Sequence, residues 1–325
     1  MSSTIATPIP YLSAAEVHAA LDYPSLIDAL RRAFQSGGVA PVRSSHAVTD
    51  EGDRLLLMPA WGNGGLGVKI VTVYPRNRER GLASVAALYV LLDGATGHPL
   101  ALIDGEALTL RRTAAASALA SSYLSRSDAS RLLVVGTGAL APYMAAAHCA
   151  VRPIDNVMVW GRSHARAVDM ASALGATGLR AEAVHDLGAA LAHADVVSCA
   201  TTSREPLIAG RQVNPGLHVD LVGAFTPHMR ESDDELVRRA TIFVDTFGGA
   251  LKEAGDLVQP MNRSVIGRED IVAELADLVK GAHPGRRTAG EVTLFKSVGT
   301  ALEDLCAAQL VARRRSLQAP SVAHT

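Results

Sequence analysis

The sequence contains little cysteine. Only three cysteines occur among 325 residues, and they lie far apart without C-x-x-C spacing: Cys149, Cys199 and Cys306. Such usage indicates a reducing compartment and argues against both a disulfide framework and a zinc site. We therefore expect no bound metal.

An excess of charge of one sign is also missing. The chain has 31 Lys and Arg against 32 Asp and Glu, a formal net charge of −1, so it lacks the basic footprint of a nucleic-acid-binding protein. No apolar run approaches the roughly 20 residues that a membrane-spanning helix needs, and the N-terminal residues lack the basic and apolar regions of a signal peptide. The sequence thus predicts a cytoplasmic protein without nucleic-acid or membrane partners.

The most informative segment runs from Leu132 to Ala141 and has the sequence LLVVGTGALA. An apolar run, two glycines and an alanine-rich stretch are typical of a buried strand, a tight turn and a helix. In the G-x-G-x-x-G/A fingerprint, the glycines permit the turn and the approach of a pyrophosphate to the helix N-terminus, and the small third residue permits close helix–strand packing. The segment predicts a dinucleotide site with contacts from Gly136, Thr137, Gly138, Ala139 and Leu140.

Strand and helix patterns alternate after this point. Helical patterns separate short apolar runs that are typical of buried strands, at 132–135, 156–159, 196–199, 218–222 and 241–244. This alternation predicts an α/β fold with a doubly wound parallel sheet of the Rossmann type. We assign residues 118–300 to this dinucleotide-binding domain.

The earlier residues have a different pattern. Residues 11–36 predict two helices, the first opened by a capping box at Ser13 and Glu16. A turn at 93–99 predicts an antiparallel hairpin within a series of β-rich runs, at 54–58, 68–73, 83–92 and 100–103. We expect a helix at 106–124, and an amphipathic helix from Ala301 that returns to this region. The second domain is thus an antiparallel sheet with flanking helices, made of residues 1–117 and 301–325.

The end of the second Rossmann strand indicates which nicotinamide cofactor is used. NAD-specific domains carry an acidic residue there for the ribose 2′-hydroxyl, but this chain has Gly161, Arg162 and Ser163. A guanidinium and a hydroxyl suit a 2′-phosphate, which a carboxylate would repel. We expect NADPH, with NADH as a poorer substitute; the alternative is that Arg162 is a solvated loop residue.

The order of short motifs resembles that of the ornithine cyclodeaminase/mu-crystallin family, from about Ser13 to Val311. The motifs that carry the resemblance are PVR at 41–43, MPA at 58–60, VKIV at 68–71, DGATGHP at 93–99, LTLRRTAA at 108–115, GTGALA at 136–141, ATTS at 200–203 and FKSVG at 295–299. The resemblance implies a two-domain subunit that forms a homodimer through its antiparallel sheet. It also implies an active site between the domains.

The same resemblance implies how a substrate is held. Family members act on amino acids or the corresponding imines, and the three residues that bind the substrate carboxylate match Arg43, Lys69 and Arg112. Arginine offers bidentate donors to a carboxylate, and lysine adds a mobile charge and a transferable proton. We expect Lys69 to be the proton donor, with His46 as a second candidate.

One departure from the family pattern concerns the catalytic aspartate of its cyclodeaminases, which lies in a V-G-G-D-x-P-G-K loop. Phe225 stands at that position in the stretch VGAFTPHMRE, residues 222–231. A phenyl ring cannot accept a proton, so ammonia-eliminating cyclisation of ornithine is disfavoured. The G-x-F-T-P-x-M-R-E form resembles the branch that reduces cyclic ketimino acids, in which Phe225 would pack on the substrate ring.

Position and resemblance together predict further cofactor contacts. Two segments follow predicted strands and therefore lie at the carboxyl edge of the sheet, where ligands bind: Thr201, Thr202 and Ser203, and Val222 with Gly223. The FKSVG segment resembles the family element that closes over the nicotinamide, which adds Lys296, Ser297, Val298 and Gly299.

The sequence thus predicts NAD(P)H-dependent reduction of Δ1-pyrroline-2-carboxylate to L-proline and of Δ1-piperideine-2-carboxylate to L-pipecolate. An alanine dehydrogenase or N-alkyl amino acid dehydrogenase would have the same carboxylate clamp. An ornithine cyclodeaminase is disfavoured by Phe225. A non-catalytic, NADP-dependent small-molecule binding protein, as in the mu-crystallin branch, is the remaining alternative.

Overall fold

The computed structural model describes residues 8–318, which form two compact units. The first unit contains the described residues up to Arg112 and those from Thr300 onward, and the second runs from Thr113 to Gly299. The sequence-based division, after residues 117 and 300, differs by a few residues because the first boundary falls inside the helix Gly105–Leu124, where no loop marks it. The ends of the predicted first domain, residues 1–7 and 319–325, lie outside the described part of the chain.

In chain order the strands are β1 (Tyr11–Leu12), β2 (Ser44–Ala47), β3 (Arg54–Gly62), β4 (Gly65–Val73), β5 (Val85–Asp93), β6 (Pro99–Asp104), β7 (Arg131–Val135), β8 (Asn156–Trp160), β9 (Ala181–Ala183), β10 (Val196–Cys199), β11 (His218–Leu221), β12 (Thr241–Val244), β13 (Ile271–Glu274) and β14 (Thr293–Lys296). The α-helices are α1 (Ala14–Ala20), α2 (Tyr23–Ser36), α3 (Gly105–Leu124), α4 (Ala141–Cys149), α5 (His164–Ala176), α6 (Leu187–His193), α7 (Asp234–Arg239), α8 (Phe247–Glu253), α9 (Gly255–Asn262), α10 (Leu275–Val279) and α11 (Ala301–Gln318). None of the helices within residues 8–318 is long and apolar enough to cross a membrane.

The first unit is built on a six-stranded sheet with the order β1-β6-β5-β4-β3-β2. Neighbouring strands from β2 to β6 are antiparallel, and the β5–β6 hairpin is confirmed. Its turn is fixed by Asp93, whose carboxylate accepts hydrogen bonds from the backbone N–H groups of Ala95 and Thr96. The sheet is mixed rather than purely antiparallel, because β1 pairs in parallel with β6; two residues are too few to show an alternating pattern in the sequence.

Helices cover this sheet as the sequence predicts. The capping box at Ser13 is present at the start of α1, and α2 buries a stripe that includes Leu26, Leu30 and Phe34. The C-terminal helix α11 returns to the first unit, where it packs against α2 and β4. This return places the first turn of α11 beside residues that are more than 200 positions earlier in the sequence.

The second unit is a doubly wound α/β domain, which confirms the predicted Rossmann fold. Its eight strands are all parallel, in the order β13-β12-β14-β11-β10-β7-β8-β9. The sequence did not reveal β9, β13 or β14. The last of these lies inside the sheet, between β11 and β12. Its four residues begin with a threonine and end with a lysine, so no apolar run in the sequence indicates a strand there.

Candidate active site

Lys69 lies on the buried face of β4. Burial alternates along this strand, and Lys69 takes an inward position at which only 2% of its surface is exposed. Its Nζ atom lies 2.8 Å from both carboxylate oxygens of Asp304 and 3.2 Å from Oγ1 of Thr109. An inward lysine therefore has the ionic partner that its burial requires.

Arg112 joins the same cluster from α3. Its Nε atom donates to Oδ1 of Asp304 at 3.0 Å and Nη1 donates to Oε2 of Glu303 at 2.6 Å, and only 4% of the residue is exposed. Glu303 and Asp304, in the first turn of α11, were missed from the sequence. Acidic residues are common in a first helical turn because they favour the helix dipole, so their presence there gave no sign of a functional role.

Arg43 adds a further basic group near this cluster. Arg43, half-buried just before β2, lies close enough for its charge to lower the pKa of both Lys69 and Asp304. Lys69 and Arg112 contact the carboxylates of Glu303 and Asp304 directly, and Arg43 adds a third positive charge nearby. Arginine and lysine side chains grouped in this way suit the binding of a carboxylate.

The surroundings of Lys69 lower its pKa toward neutral pH. Burial, followed by the charge of Arg112, lowers the pKa of Lys69 to about 8, while Asp304 opposes the change. Burial alone would raise the pKa of Asp304, but the charges of Arg112 and Lys69 outweigh it and hold that pKa below its usual value. Lys69 can therefore bind or release a proton near neutral pH, whereas Asp304 stays ionised.

Two neighbouring side chains have other partners. His46 is exposed on the edge strand β2, where its Nε2 atom lies 3.3 Å from Oγ of Ser44. Arg111 faces another direction from Arg112, since its Nε atom lies 3.2 Å from Nδ1 of His18 and its guanidinium lies over the ring of Tyr23. Lys69 is therefore better placed than His46 to exchange a proton within the cluster.

The glycine loop has the form that a dinucleotide requires. Gly136 adopts a φ of +120°, and a Cβ there would lie 2.7 Å from the carbonyl oxygen of Ala200, so a side chain is excluded. A Cβ on Gly138 would meet no atom within 4 Å, which leaves open space above the loop. Helix α4 begins at Ala141 without a side-chain cap. The N–H groups of Ala141 and Tyr143 donate to the carbonyl oxygens of Gly138 and Leu140, and Pro142 has no N–H, so a pyrophosphate is expected to meet the glycine loop before the helix rather than the first turn itself.

Beside this loop lie the residues predicted to select the cofactor. Arg162 and Ser163 are exposed after β8, and the hydroxyl of Ser163 caps α5 by accepting a hydrogen bond from the N–H of Arg166. Arg166, which the sequence analysis missed, donates to the carbonyl oxygen of Thr137 at 3.4 Å. It lines one cavity with Thr137, Gly138 and Pro142. Two arginines are thus near the glycine loop.

The loops after β10 and β11 also meet at the carboxyl edge of the sheet. Oε1 of Glu231 accepts hydrogen bonds from the N–H and the hydroxyl of Thr201, and Oε2 accepts from the N–H of Gly223. Nearby, Thr202 is exposed, Ser203 donates to the carbonyl oxygen of Glu205, and Val222 is buried. The donors of Thr201 and Gly223 are therefore used inside the protein.

The FKSVG segment is held by two buried carboxylates. Lys296 is fully buried at the end of β14, and its Nζ atom lies 3.3 Å from Oδ2 of Asp256. Asp245 accepts hydrogen bonds through Oδ2 from the hydroxyl of Ser297 and from the N–H groups of Val298 and Gly299. The charge of Lys296 is therefore balanced inside the fold, a role that the sequence did not reveal.

The loop that contains Phe225 offers no acidic group at that position. Phe225 is 46% exposed in the loop after β11. Asp220, the nearest preceding acid, is fully buried and accepts hydrogen bonds from Ser117 and Ser198, with Nε2 of His148 at 3.2 Å. Asp220 therefore has a structural role and does not replace the cyclodeaminase aspartate.

Comparison with known proteins identifies the family of this chain. The model of the ornithine cyclodeaminase/mu-crystallin family matches residues 11–318. A Δ1-pyrroline-2-carboxylate reductase of Colwellia psychrerythraea is 37% identical over 312 residues, which covers 93% of this chain and 98% of the relative. The solved Δ1-pyrroline-2-carboxylate reductase of Thermococcus litoralis, in complex with NADH and L-proline, has a TM-score of 0.91 at 34% identity and covers 95% of this chain and 98% of its own.

A second solved structure represents a different activity. An archaeal alanine dehydrogenase dimer with bound NAD has a TM-score of 0.89 at 29% identity, and covers 96% of this chain and 98% of its own. Similarity over almost the full length therefore links this chain to more than one oxidoreductase. The family match covers nearly the whole chain, and we conclude that this chain belongs to the ornithine cyclodeaminase/mu-crystallin family.

Proposed function

We propose that this protein catalyses the NAD(P)H-dependent reduction of cyclic α-imino acids, Δ1-pyrroline-2-carboxylate to L-proline and Δ1-piperideine-2-carboxylate to L-pipecolate. The observation that carries the proposal is the buried cluster of Lys69, Arg112 and Asp304, which combines basic groups suited to a carboxylate with a lysine whose pKa is lowered to about 8. Relatives that are pyrroline-2-carboxylate reductases support the same reaction class.

The chemistry divides between the cofactor and the side chains. A bound nicotinamide supplies the hydride that adds to the imine carbon. Arg43 and Arg112 hold the substrate carboxylate, which fixes the orientation of the ring. Lys69 gives its Nζ proton to the ring nitrogen, so that the C=N bond becomes CH–NH, and water then returns the proton to Lys69. Phe225 contacts the apolar ring methylenes.

A substrate panel tests this proposal. Loss of NADPH absorbance should be fast with Δ1-pyrroline-2-carboxylate or Δ1-piperideine-2-carboxylate and slow with pyruvate plus ammonia. Ornithine should release no ammonia, because Phe225 cannot serve as a base. Fast turnover only with pyruvate and ammonia would instead favour an alanine dehydrogenase, the activity of one structural relative. Cofactor binding without turnover of any of these substrates would favour a binding protein.

We propose NADPH as the preferred cofactor, on the basis of Arg162 and Ser163. We expect Arg162→Asp to lower the NADPH-to-NADH specificity ratio by about tenfold or more, because it replaces a charge-assisted donor with a group that repels the 2′-phosphate. The ratio of kcat/KM values for the two cofactors measures this effect.

The matched control is Arg180→Asp, which makes the same charge change at an exposed residue just before β9, toward the amino edge of the sheet. It should leave the ratio unchanged. An Arg162→Asp variant with the wild-type ratio would mean that the 2′-phosphate is recognised elsewhere, and Arg166 would be the next residue to test.

We also propose that the protein is a homodimer that uses the sheet of the first unit. Many of the exposed large apolar side chains belong to this unit, namely Tyr11, Val39, Val42, Val48, Trp61, Leu82, Val85 and Leu100. Exposed apolar surface of this kind is typical of protein–protein contacts. The alanine dehydrogenase relative is itself a dimer.

A further inference from the structure

The carboxyl edge of the parallel sheet contains an acidic residue that the proposed reaction does not use. Glu231 lies eight residues beyond Gly223 in the sequence. Its side chain is nevertheless fully buried, and it contacts both the loop after β10 and the start of the loop after β11. A parallel sheet binds its ligands at this edge. A buried carboxylate at such a place needs a reason, because removing a charge from water is costly.

The hydrogen bonds of Glu231 tie the two loops together. Oε1 lies 2.7 Å from the N atom of Thr201 and 2.8 Å from its hydroxyl. Oε2 lies 2.8 Å from the N atom of Gly223 and 3.3 Å from that of Ala224. Each carboxylate oxygen therefore accepts hydrogen bonds from one of the two loops. A single side chain thus sets the separation of the two backbones.

Gly223 gives independent evidence for this close approach. A Cβ at this position would overlap the carbonyl oxygen of Thr201 and Oε1 of Glu231. Only glycine fits between them. The two loops are thus packed so tightly that a displacement of the Glu231 carboxylate must move at least one of them.

Glu231 is itself held by a second buried carboxylate. Oδ1 of Asp256 accepts hydrogen bonds from the N–H groups of Glu231 and Ser232, each at 2.8 Å. Oδ2 of Asp256 lies 3.3 Å from Nζ of Lys296. A continuous chain of buried polar groups thus runs from β14, an interior strand of the sheet, to the loops after β10 and β11.

We propose that Glu231 is a positioning residue for the nicotinamide cofactor, which acts by holding the Thr201 and Gly223 loops at the separation that the cofactor requires. This inference rests on the proposed cofactor site at the carboxyl edge of the sheet. Because the donors of Thr201 and Gly223 are occupied by Glu231, these residues contribute to the site through the placement of their backbones.

The test is cofactor binding by Glu231→Gln. The amide keeps the size of the side chain but turns an NH2 group toward the N–H donors of one loop, so that loop must move. We expect the Kd for NADPH, measured by quenching of tryptophan fluorescence, to rise about tenfold or more. The KM for NADPH should rise similarly, whereas the KM for the imine should stay within about twofold, because Arg43, Lys69 and Arg112 lie in the other unit.

The matched control is Asp195→Asn, immediately before β10 and thus at the end of that strand opposite the Thr201 loop. Asp195 is also buried and accepts hydrogen bonds from two backbone groups, the N–H groups of Ser130 and Arg131. This variant should lose thermal stability but keep the wild-type Kd for NADPH. A general effect of removing a buried carboxylate would change the Kd in both variants.

A wild-type Kd in Glu231→Gln, or an equal rise of Kd in Asp195→Asn, would overturn the inference. If Glu231→Gln fails to fold, Glu231→Asp provides the same test, because its shorter side chain cannot reach both loops. Wild-type protein that binds NADPH but reduces no imine would contradict the proposed function. The Kd values of the two variants would still decide whether Glu231 positions the cofactor. Wild-type protein that binds neither NADPH nor NADH would overturn both.

Discussion

Lys69→Met should lower kcat for Δ1-pyrroline-2-carboxylate by about 10²–10⁴-fold, the usual contribution of a positioned general acid. Methionine keeps most of the aliphatic length but has neither charge nor transferable proton. Asp304 retains Arg112 as a partner in this variant, so the fold should survive. Steady-state kinetics with saturating NADPH would measure the loss, and a kcat within about threefold of wild type would exclude Lys69 as the proton donor.

Lys69→Arg is the matched variant because it retains the positive charge of the cluster. A guanidinium holds its proton throughout the accessible pH range, so it can help to bind the carboxylate but cannot supply the proton. We expect a KM close to that of wild type together with a low kcat. This split would separate the two roles that are assigned to Lys69.

The pH profile of the wild-type enzyme should carry the same signature. Burial and the charge of Arg112 lower the pKa of Lys69 to about 8. A general acid must be protonated before the reaction, so kcat/KM, which reports the free enzyme, should be maximal below this pKa and should fall as the pH rises through about 8. The inflection should disappear in Lys69→Met.

Arg112→Ala should weaken both substrate binding and the folded state. The variant removes the hydrogen bonds of Arg112 to Glu303 and Asp304, whereas the contact of Lys69 with Asp304 remains. Removing one partner of a buried ion pair costs about 3–5 kcal/mol of unfolding free energy. We expect the substrate KM to rise about 100-fold or more, since the truncated site has lost a bidentate donor and a positive charge.

Arg111→Ala is the control for this change, because it removes an adjacent arginine of α3 that contacts His18 and Tyr23. Urea unfolding and substrate kinetics should distinguish the two variants, and both should keep the wild-type Kd for NADPH. A normal imine KM in a folded Arg112→Ala protein would refute the assignment of Arg112 to the carboxylate clamp.

The sequence was sufficient where the evidence is local. The turn at Gly136 and Gly138, the β5–β6 hairpin and the capping box of α1 each depend on neighbouring residues, and all three occur in the structure. The doubly wound sheet followed from the alternation of apolar strands with helices. Such features are determined by residues that are close in the sequence, so they can be predicted without knowledge of distant contacts.

The sequence was insufficient where a group depends on a distant partner. Asp304 meets Lys69 across 235 positions of the chain, and Glu231 meets Thr201 across 30. Neither pairing leaves a periodic or compositional trace. The strand β14 was missed for a related reason, since its lysine is tolerated inside the sheet only because Asp256 balances the charge.

Transfer of deuterium tests the central claim most directly. The protein would be incubated with Δ1-pyrroline-2-carboxylate and NADPH that carries deuterium at both C4 positions, and the product examined by mass spectrometry and NMR. Our account predicts L-proline with one deuterium on the α-carbon. Consumption of the cofactor without labelled proline, or no conversion of the imine by protein that binds NADPH, would contradict it.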